Sequence, residues 1–205
     1  MEHIDIHIDG TGLCQVETSL KGGTFHRTVP IEVVARMFVT NVGDDGFLPS
    51  GLFYRAARPS GELIALFVPP GKIDAVVQGH GSFTIPMPGL VFAGAGMRYY
   101  MIAIKDEWPH SGSSVFAAPL FNIRQDHSIC PGNVAYEYCG MKTVKKAYGE
   151  TMMASWDTSY RTAKSRKHPD DLLKQWKAIR RRRAYPAEDL VDQTCKLGEF
   201  LEGLR

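Results

Sequence analysis

One asparagine and one cysteine in the middle of the chain have the residue types and the spacing for acyl-transfer chemistry. Asn122 lies eight positions before Cys130, and Pro131 and Gly132 follow the cysteine directly, which predicts a loop there. A cysteine thiolate attacks carbonyl carbons and forms thioesters. The asparagine side chain carries two N–H groups that can stabilise the oxyanion created by this attack. The short polar segment between the two residues therefore predicts one turn-rich loop with the pair on opposite limbs.

A transfer of this kind also needs a general base within hydrogen-bond reach of the acceptor. His127, three positions before the cysteine, is the first candidate, and the alternatives are His168, Asp126 and Asp157. The residue types alone leave two simpler interpretations open. These are a solvated loop histidine at position 127 and a buried structural thiol at position 130.

The composition is that of a folded protein. The chain has 205 residues, of which 44% are hydrophobic and 22% are charged, enough for one domain with a substantial core. The polar N-terminal residues predict no secretory signal, and no apolar run reaches the roughly 20 residues that a membrane helix needs. Neither histidines nor cysteines cluster at zinc-ligand spacing, so no metal is expected. Without an export signal, we expect free thiols in a reducing cytosol at Cys14, Cys130, Cys139 and Cys195.

Strands are the first elements that the sequence predicts. Residues 3–8 alternate between apolar and polar side chains, and similar runs over 13–20 and 24–29 follow after glycine-containing turns. These runs predict antiparallel N-terminal strands. Apolar residues at helical spacing after Pro30 then predict a short helix over residues 31–41.

The rest of the chain predicts an α+β fold that presents the central loop. Glycine-rich turns separate a series of strands between residues 52 and 104, and the apolar run 98–104 is expected at the centre of the sheet. Helical spacing predicts helices over 141–156 and 170–183, and a third helix that starts at Pro186. We therefore expect a meandering antiparallel sheet with helices packed against one face.

Basic residues concentrate in the C-terminal third, although the net charge of the whole chain is only +2. Between residues 161 and 183 there are ten lysines and arginines and two acidic residues, and the segment ends in Arg180, Arg181, Arg182 and Arg183. Such a run suggests nucleic-acid binding. Acidic residues follow this run, and basic side chains late in a helix interact well with its dipole. Both points favour a solvated face or a protein-docking patch.

The central stretch resembles the active-site segment of ubiquitin-conjugating enzymes, which reads His-Pro-Asn-Ile/Val and then Gly-x-Ile-Cys. Asn122-Ile123 and Ile129-Cys130 fall on these motifs with the same Asn-to-Cys spacing. A closer resemblance is to bacterial family D of such proteins, which includes protein B of the PRTRC plasmid-associated system. The segments Pro-x-Leu-Val-Phe, Ala-Pro-x-x-Asn-Val and Cys-x-Gly of that family match, in order, residues 88–92, 118–123 and 130–132. The resemblance runs from about residue 46 to about residue 159.

Two histidines of these families are missing here. Leu120 stands where the conjugating enzymes have the histidine of His-Pro-Asn, and Phe121 stands where they have the proline. In those enzymes the histidine mainly supports the loop, so its absence leaves the expected chemistry in place. Family D members also tend to have a histidine after the cysteine, and the corresponding region of this chain ends in Ser159.

The resemblance implies a fold, an activity and a set of partners. It implies a conjugating-enzyme-like core over residues 46–160, preceded by strands and a short helix over 1–45 and followed by a helical extension over 161–205. The implied activity is that of a cytoplasmic thioester transferase, which takes a ubiquitin-like modifier onto Cys130 and passes it to an amine or another acceptor. Asn122 and His127 would be the other catalytic residues.

The expected partners are the modifier and its activating enzyme, with a deconjugating protease as a further candidate. The activating enzyme consumes the ATP, so neither a cofactor nor a metal is expected on this chain, and neither a membrane nor a nucleic acid is an expected partner. Analogy alone suggests a bacterial operon for plasmid maintenance or antiphage defence. Two other functions stay open: an inactive relative that binds the modifier or acts as a scaffold, and a nucleic-acid-binding accessory protein that uses the basic segment.

Overall fold

The computed structural model describes five segments of the chain, namely residues 3–8, 13–20, 23–30, 51–58 and 61–204. The chain divides into two compact units, residues 1–48 and residues 49–205. The helix predicted over residues 31–41 lies outside the described residues. The stretch that carries the candidate chemistry belongs to the second unit.

The first unit contains an antiparallel sheet of three strands. They are β1 (His3–Ile8), β2 (Leu13–Leu20) and β3 (Gly23–Pro30), and they lie in the order β1-β2-β3. Both strand pairs keep one register along their length, without a bulge. Ile8 of β1 lies opposite Cys14 of β2, and Leu20 of β2 lies opposite Gly23 of β3. The three predicted N-terminal strands are therefore confirmed.

Eight strands form the framework of the second unit, as far as the structure describes it. They are β4 (Leu52–Arg58), β5 (Gly61–Val68), β6 (Gly71–Val77), β7 (Gly81–Met87), β8 (Gly89–Ala95), β9 (Arg98–Ile104), β10 (Ser114–Ala117) and β11 (Asp192–Lys196). Six of them make an antiparallel sheet in the order β11-β10-β9-β8-β5-β4, and β6 and β7 pair with each other as a separate hairpin. β9 lies between β8 and β10, which confirms the central position expected for the most apolar run.

Among the described residues, three helices complete the α+β fold: α1 (Val144–Met153), α2 (Leu172–Ile179) and α3 (Leu197–Gly203). α1 and α2 confirm two of the predicted helices, with shorter bounds. α2 begins at a side-chain cap, because Asp171 Oδ1 accepts a hydrogen bond of 3.0 Å from the backbone N–H of Leu173. Residues 161–204 thus contribute two helices and one strand to the second unit.

Helices cover both faces of the six-stranded sheet, so the expectation of helices on one face was wrong. Phe92 of β8 belongs to one core with side chains of α1 and α2, whereas its neighbour Val91 belongs to a second core with side chains of α3. Successive side chains of a strand point to opposite faces. Because β8 is buried at every position, the sheet needs a cover on each side.

The prediction of a helix that starts at Pro186 was also wrong. A 3-10 turn over Ala187–Asp189 is followed by strand β11, and helix begins only at Leu197. The reason is the open edge of β10, whose backbone groups need a partner. The chain supplies one, because β11 pairs with β10 and the N–H of Ala117 donates a 2.9 Å hydrogen bond to the carbonyl of Val191. The leucines of α3 keep the predicted apolar stripe.

Candidate active site

Asn122 and Cys130 face each other at the base of a β-hairpin. The backbone N–H of Cys130 donates a 2.7 Å hydrogen bond to the carbonyl of Asn122, and the next residues inward, Ile123 and Ile129, form an antiparallel bridge. Asn122 has a φ of 57°, a left-handed conformation that asparagine adopts more readily than most residues. The two residues therefore lie on opposite limbs of one loop, as their spacing predicts.

The tip of the hairpin is a tight turn held by its own backbone. The N–H of His127 donates to the carbonyl of Arg124 at 3.0 Å, and the N–H of Arg124 donates to the carbonyl of Ser128 at 2.8 Å. His127 has a φ of 65°, as expected for the last residue of a three-residue hairpin loop. Asp126 Oδ1 accepts hydrogen bonds from the hydroxyl and the N–H of Ser128, at 2.6 and 3.0 Å, and these lower the pKa of Asp126.

The hairpin is fixed to the edge of β9 beyond the end of β10. The N–H of Ile129 donates to the carbonyl of Tyr99 at 2.8 Å, and the N–H of Met101 donates to the carbonyl of His127 at 3.0 Å. β10 pairs with the following residues of β9, from Ile102 onward. The central strand of the sheet thus holds Cys130 at a defined position.

Cys130 opens into a cleft of about 380 Å³ between the hairpin and the chain that leaves α1. The thiol is partly exposed. Trp156 forms the wall of the cleft opposite the hairpin. Its backbone is fixed to the end of β6: the backbone N–H of Trp156 donates to the carbonyl of Val76, and the carbonyl of Trp156 accepts from the N–H of Gln78, both at 2.8 Å. Asn122 and Asp157 line the same cleft. A thiol, a side-chain amide and a carboxylate therefore line one cleft.

Of the four sequence-predicted candidates for a base, Asp157 is the one that lines the Cys130 cleft. Its side chain is exposed, and Oδ1 accepts a 2.6 Å hydrogen bond from the N–H of Ser159. His127 instead lines a second cleft of about 510 Å³ with Arg124 and Lys164. The structure brings Asn122, Cys130 and Asp157 together, and it puts His127 in a different place.

His127 is half-buried in this second cleft. Its ring packs edge-on against Phe200, with 5.6 Å between the ring centroids. Burial lowers the pKa of His127, an effect that the nearby Asp126 carboxylate opposes. The other two candidates, Asp126 and His168, lie in the hairpin turn and in the segment before α2.

Burial raises the pKa of both remaining cysteines of the second unit. Cys139 is 6% exposed, and burial raises its pKa to about 11. Burial also raises the pKa of Cys195, with a contribution from the negative charge of Glu199. Cys14, in the first unit, is fully buried. Cys130 is the cysteine that lies in a cleft with an amide donor.

Lys164 is a residue of this region that sequence reasoning missed. It is only 5% exposed, although its neighbours Arg166 and Lys167 are on the surface. Its Nζ donates hydrogen bonds to the carbonyls of Leu120 and Ile123, on either side of Asn122. No sequence signal distinguishes this lysine from the other lysines and arginines of the segment, because its hydrogen-bond partners lie more than 40 positions away.

The basic run at positions 180–183 is exposed and follows α2 directly. Within the five described segments, no group of three or more histidine, cysteine or acidic side chains is arranged to hold a metal ion. The helices described there all fall short of the length and apolar character that a bilayer crossing demands.

Comparison with known proteins identifies a family. Residues 32–193 match the family model described as prokaryotic E2 family D, where E2 denotes the conjugating component of ubiquitin-like systems. Neither the curated proteins nor the solved structures contain a match to this chain. The family match spans more than half of the chain and includes the whole hairpin with both Asn122 and Cys130. The chain therefore belongs to prokaryotic E2 family D and is a conjugating-enzyme-like protein.

Proposed function

We propose that this protein carries a ubiquitin-like modifier as a thioester on Cys130 and transfers it to an amine or another acceptor. The observation that supports this most strongly is the placement of Cys130. It is a partly exposed thiol in a cleft, on a hairpin whose pairing sets Asn122 opposite it, in a chain of an E2 family. The fold would act as a rigid frame for this pair, in the manner of a conjugating-enzyme core.

The first step of the proposed reaction loads the modifier. Its C-terminal carbonyl arrives as a thioester of the activating enzyme, and the Cys130 thiolate attacks the carbonyl carbon to form a new C–S bond. The side-chain N–H of Asn122 stabilises the oxyanion, a contribution of roughly 10²–10³ in rate for one donor. The oxyanion then collapses, the C–S bond to the activating enzyme breaks, and that enzyme's cysteine leaves as a thiolate.

The second step releases the modifier to its acceptor. The nitrogen of an attacking amine forms a bond to the thioester carbonyl, Asn122 again stabilises the oxyanion, and the Cys130 thiolate leaves. The proton lost by the amine needs a base within reach. We assign this role to Asp157 in preference to His127, because Asp157 lines the same cleft as the nucleophile and His127 lines another.

A charging assay tests the proposed function. The full chain is mixed with the modifier, the activating enzyme and ATP, and its intact mass is measured with and without a thiol reductant. We expect a modifier adduct that the reductant removes, and in Cys130→Ser an ester adduct that survives the reductant. Cys195→Ser is the matched control, because Cys195 is the other partly exposed cysteine of the second unit. An activating enzyme that becomes charged while this chain never does would refute the carrier function.

A modifier-binding scaffold of the same pathway is the second candidate. The observation that favours it is the histidine-free lining of the Cys130 cleft within the described residues. The two functions differ in what they require of the thiol. A Cys130→Ser chain that supports full conjugation by the pathway would identify a scaffold, whereas a loss of conjugation supports the carrier.

A further inference from the structure

We propose that Lys164 is a positioning residue for the Asn122–Cys130 pair. Its buried amino group holds the turn that carries Asn122 and so keeps Asn122 opposite the thiol. The part of this inference that concerns reaction rate rests on the proposed function of Cys130. The structural part can be tested without any modifier.

The contacts of Lys164 are unusual for a lysine. Its Nζ donates hydrogen bonds to the carbonyl of Ile123, at 2.7 Å, and to the carbonyl of Leu120. Lysine side chains are seldom fully buried unless a carboxylate pairs with them. Among the described residues, no carboxylate forms an ion pair with Lys164, and both hydrogen-bond partners are backbone carbonyls. The lysine thus serves the backbone of one turn.

The turn over residues 119–123 belongs to no strand or helix, so its carbonyl groups need hydrogen-bond donors from other parts of the chain. The carbonyl of Pro119 accepts a 3.0 Å hydrogen bond from Nε1 of Trp176, and the carbonyl of Asn122 accepts from the N–H of Cys130. Lys164 satisfies the carbonyls at positions 120 and 123. Burying a carbonyl without a donor costs free energy. Without Lys164, the residues on both sides of the left-handed Asn122 would lose their fixed positions.

The segment around Lys164 is itself held in a demanding conformation. Ala163 has a φ of 58°, a left-handed value that alanine disfavours and that persists only where the surroundings impose it. Its N–H donates a 2.7 Å hydrogen bond to the carbonyl of Pro169. On the other side, Ser165 Oγ donates to the buried Asp189 carboxylate at 2.9 Å. Fixed on both sides, Lys164 reaches the hairpin from a rigid support.

Both protonation states of the lysine can perform this role. Burial lowers the pKa of Lys164 to about 7. An ammonium group has three N–H donors and a neutral amine has two, so either form can satisfy two carbonyls. We therefore expect the position of Asn122 to be the same above and below neutral pH.

Amide hydrogen exchange on the full chain tests the structural part. The readout is the exchange rate of the Cys130 N–H, bonded to Asn122, divided by that of the Ile129 N–H, bonded to Tyr99 of the sheet. Lys164→Met keeps the length of the side chain but removes its donors, and we expect this ratio to rise at least about tenfold. Lys164→Arg restores donors and should bring the ratio back toward that of the natural chain.

The matched control is Leu63→Ala. It truncates a fully buried side chain of β5, a strand that pairs with β4 and β8 and contacts neither Lys164 nor the hairpin through its backbone pairing. A merely destabilised chain accelerates both amides together and leaves their ratio unchanged, which is the result expected for this control. A ratio in Lys164→Met equal to that of the natural chain would overturn the positioning role.

A second variant keeps the test decisive if Lys164→Met does not fold. Lys164→Gln retains a shorter side chain with one amide donor group, and we expect a ratio between those of the natural chain and the donor-free variant. An unchanged ratio in Lys164→Gln, with Lys164→Arg unchanged as well, would equally overturn the role.

The charging assay supplies the functional part. We expect Lys164→Met to lower the maximal rate of thioester formation at least about tenfold, with less than about a twofold change in KM, because the Lys164 side chain is buried and presents almost no surface to a protein partner. A natural chain that never charges would refute the proposed function, while the exchange ratio would still decide the positioning role. A raised exchange ratio combined with an unchanged charging rate would overturn the link between Lys164 and the reaction.

Discussion

The two clefts beside the hairpin differ in what they offer to chemistry, although they are built on the same short segment. The Cys130 cleft has a thiol, an amide and a carboxylate in its lining. The second cleft has Arg124, His127 and Lys164, and burial lowers the pKa of both the histidine and the lysine. Under the proposed function, the first cleft hosts acyl transfer; under the proposed role of Lys164, the second cleft supports the hairpin. The residue type of His127 suggests catalysis, but its location does not.

The largest effect should come from the residue opposite the thiol. We expect Asn122→Ala to slow thioester formation and discharge by roughly 10²–10³, because one oxyanion donor is lost. His127→Ala should change both rates by less than about threefold, since the imidazole does not line the reacting cleft. Single-turnover charging kinetics measure both variants. Equal losses in the two would contradict the division between the clefts.

The two cysteines that lie nine positions apart should differ strongly in reactivity. Cys139 is buried against the sheet and burial raises its pKa to about 11, whereas Cys130 opens into its cleft. We expect iodoacetamide to modify Cys130 at least about 100-fold faster than Cys139 at neutral pH, because the thiolate is the nucleophile. Peptide mapping after timed alkylation gives both rates. Comparable rates would show that Cys130 is as inaccessible as a core thiol.

Removing the carboxylate of the Cys130 cleft should affect one step selectively. We expect Asp157→Asn to slow discharge to a free amine at least about tenfold, because the base is lost, and to leave thioester formation nearly unchanged. The decay of purified charged protein after addition of lysine measures the first rate. Asp126→Asn, in the hairpin turn, is the control and should not slow discharge. A slower loading step with normal discharge would rule out the role of Asp157 as the base.

The buried lysine predicts how stability depends on pH. Its folded pKa of about 7 lies below the usual value of 10.5, so between these pH values the unfolded chain binds more protons than the folded chain. The free energy of unfolding contributed by this group therefore rises with pH across that window, by at most about 1.4 kcal/mol per pH unit. Urea denaturation of the natural chain and Lys164→Met should show a difference that changes with this sign. A difference independent of pH would contradict the burial of Lys164.

The smallest effect is expected on stability, from a substitution at Ala163, the residue before Lys164. Ala163→Gly removes the steric cost of the left-handed conformation, about 1–2 kcal/mol, but increases the freedom of the unfolded chain by roughly 0.5–1 kcal/mol. We expect a gain in stability of up to about 1.5 kcal/mol. Urea denaturation measures it, and Ala163→Val is the opposite control. A glycine variant that is clearly destabilised would show that Ala163 is not held in this conformation.

Local patterns predicted the parts of the site that are local in sequence. Asn122 and Cys130 meet through a hairpin of fewer than ten residues, so spacing alone predicted their arrangement. Strands β4 to β9 followed from their apolar runs and the glycine turns between them. The left-handed φ values of Asn122 and His127, which make the hairpin possible, leave no clear trace in the sequence.

The failures of sequence reasoning all involve partners that are distant in the chain. Strand β11 was mistaken for helix because its structure depends on the free edge of β10, more than 70 positions earlier. The position of α3 on the second face was not predicted, because a continuously apolar strand does not reveal what covers each side of the sheet. Nothing in the sequence singled out Lys164 among the basic residues of its segment, since its carbonyl partners lie in the hairpin. Tertiary pairing decides each case, and one sequence does not show it.

The most direct test of the central claim is the location of the modifier on the charged protein. The chain is charged with the modifier under single-turnover conditions, digested without reductant and mapped by tandem mass spectrometry. The account predicts a thioester between the C-terminal carboxyl of the modifier and Sγ of Cys130, absent from Cys195 and from every lysine at early times. A modifier found first at another residue, with Cys130 still free to react with iodoacetamide, would contradict the account.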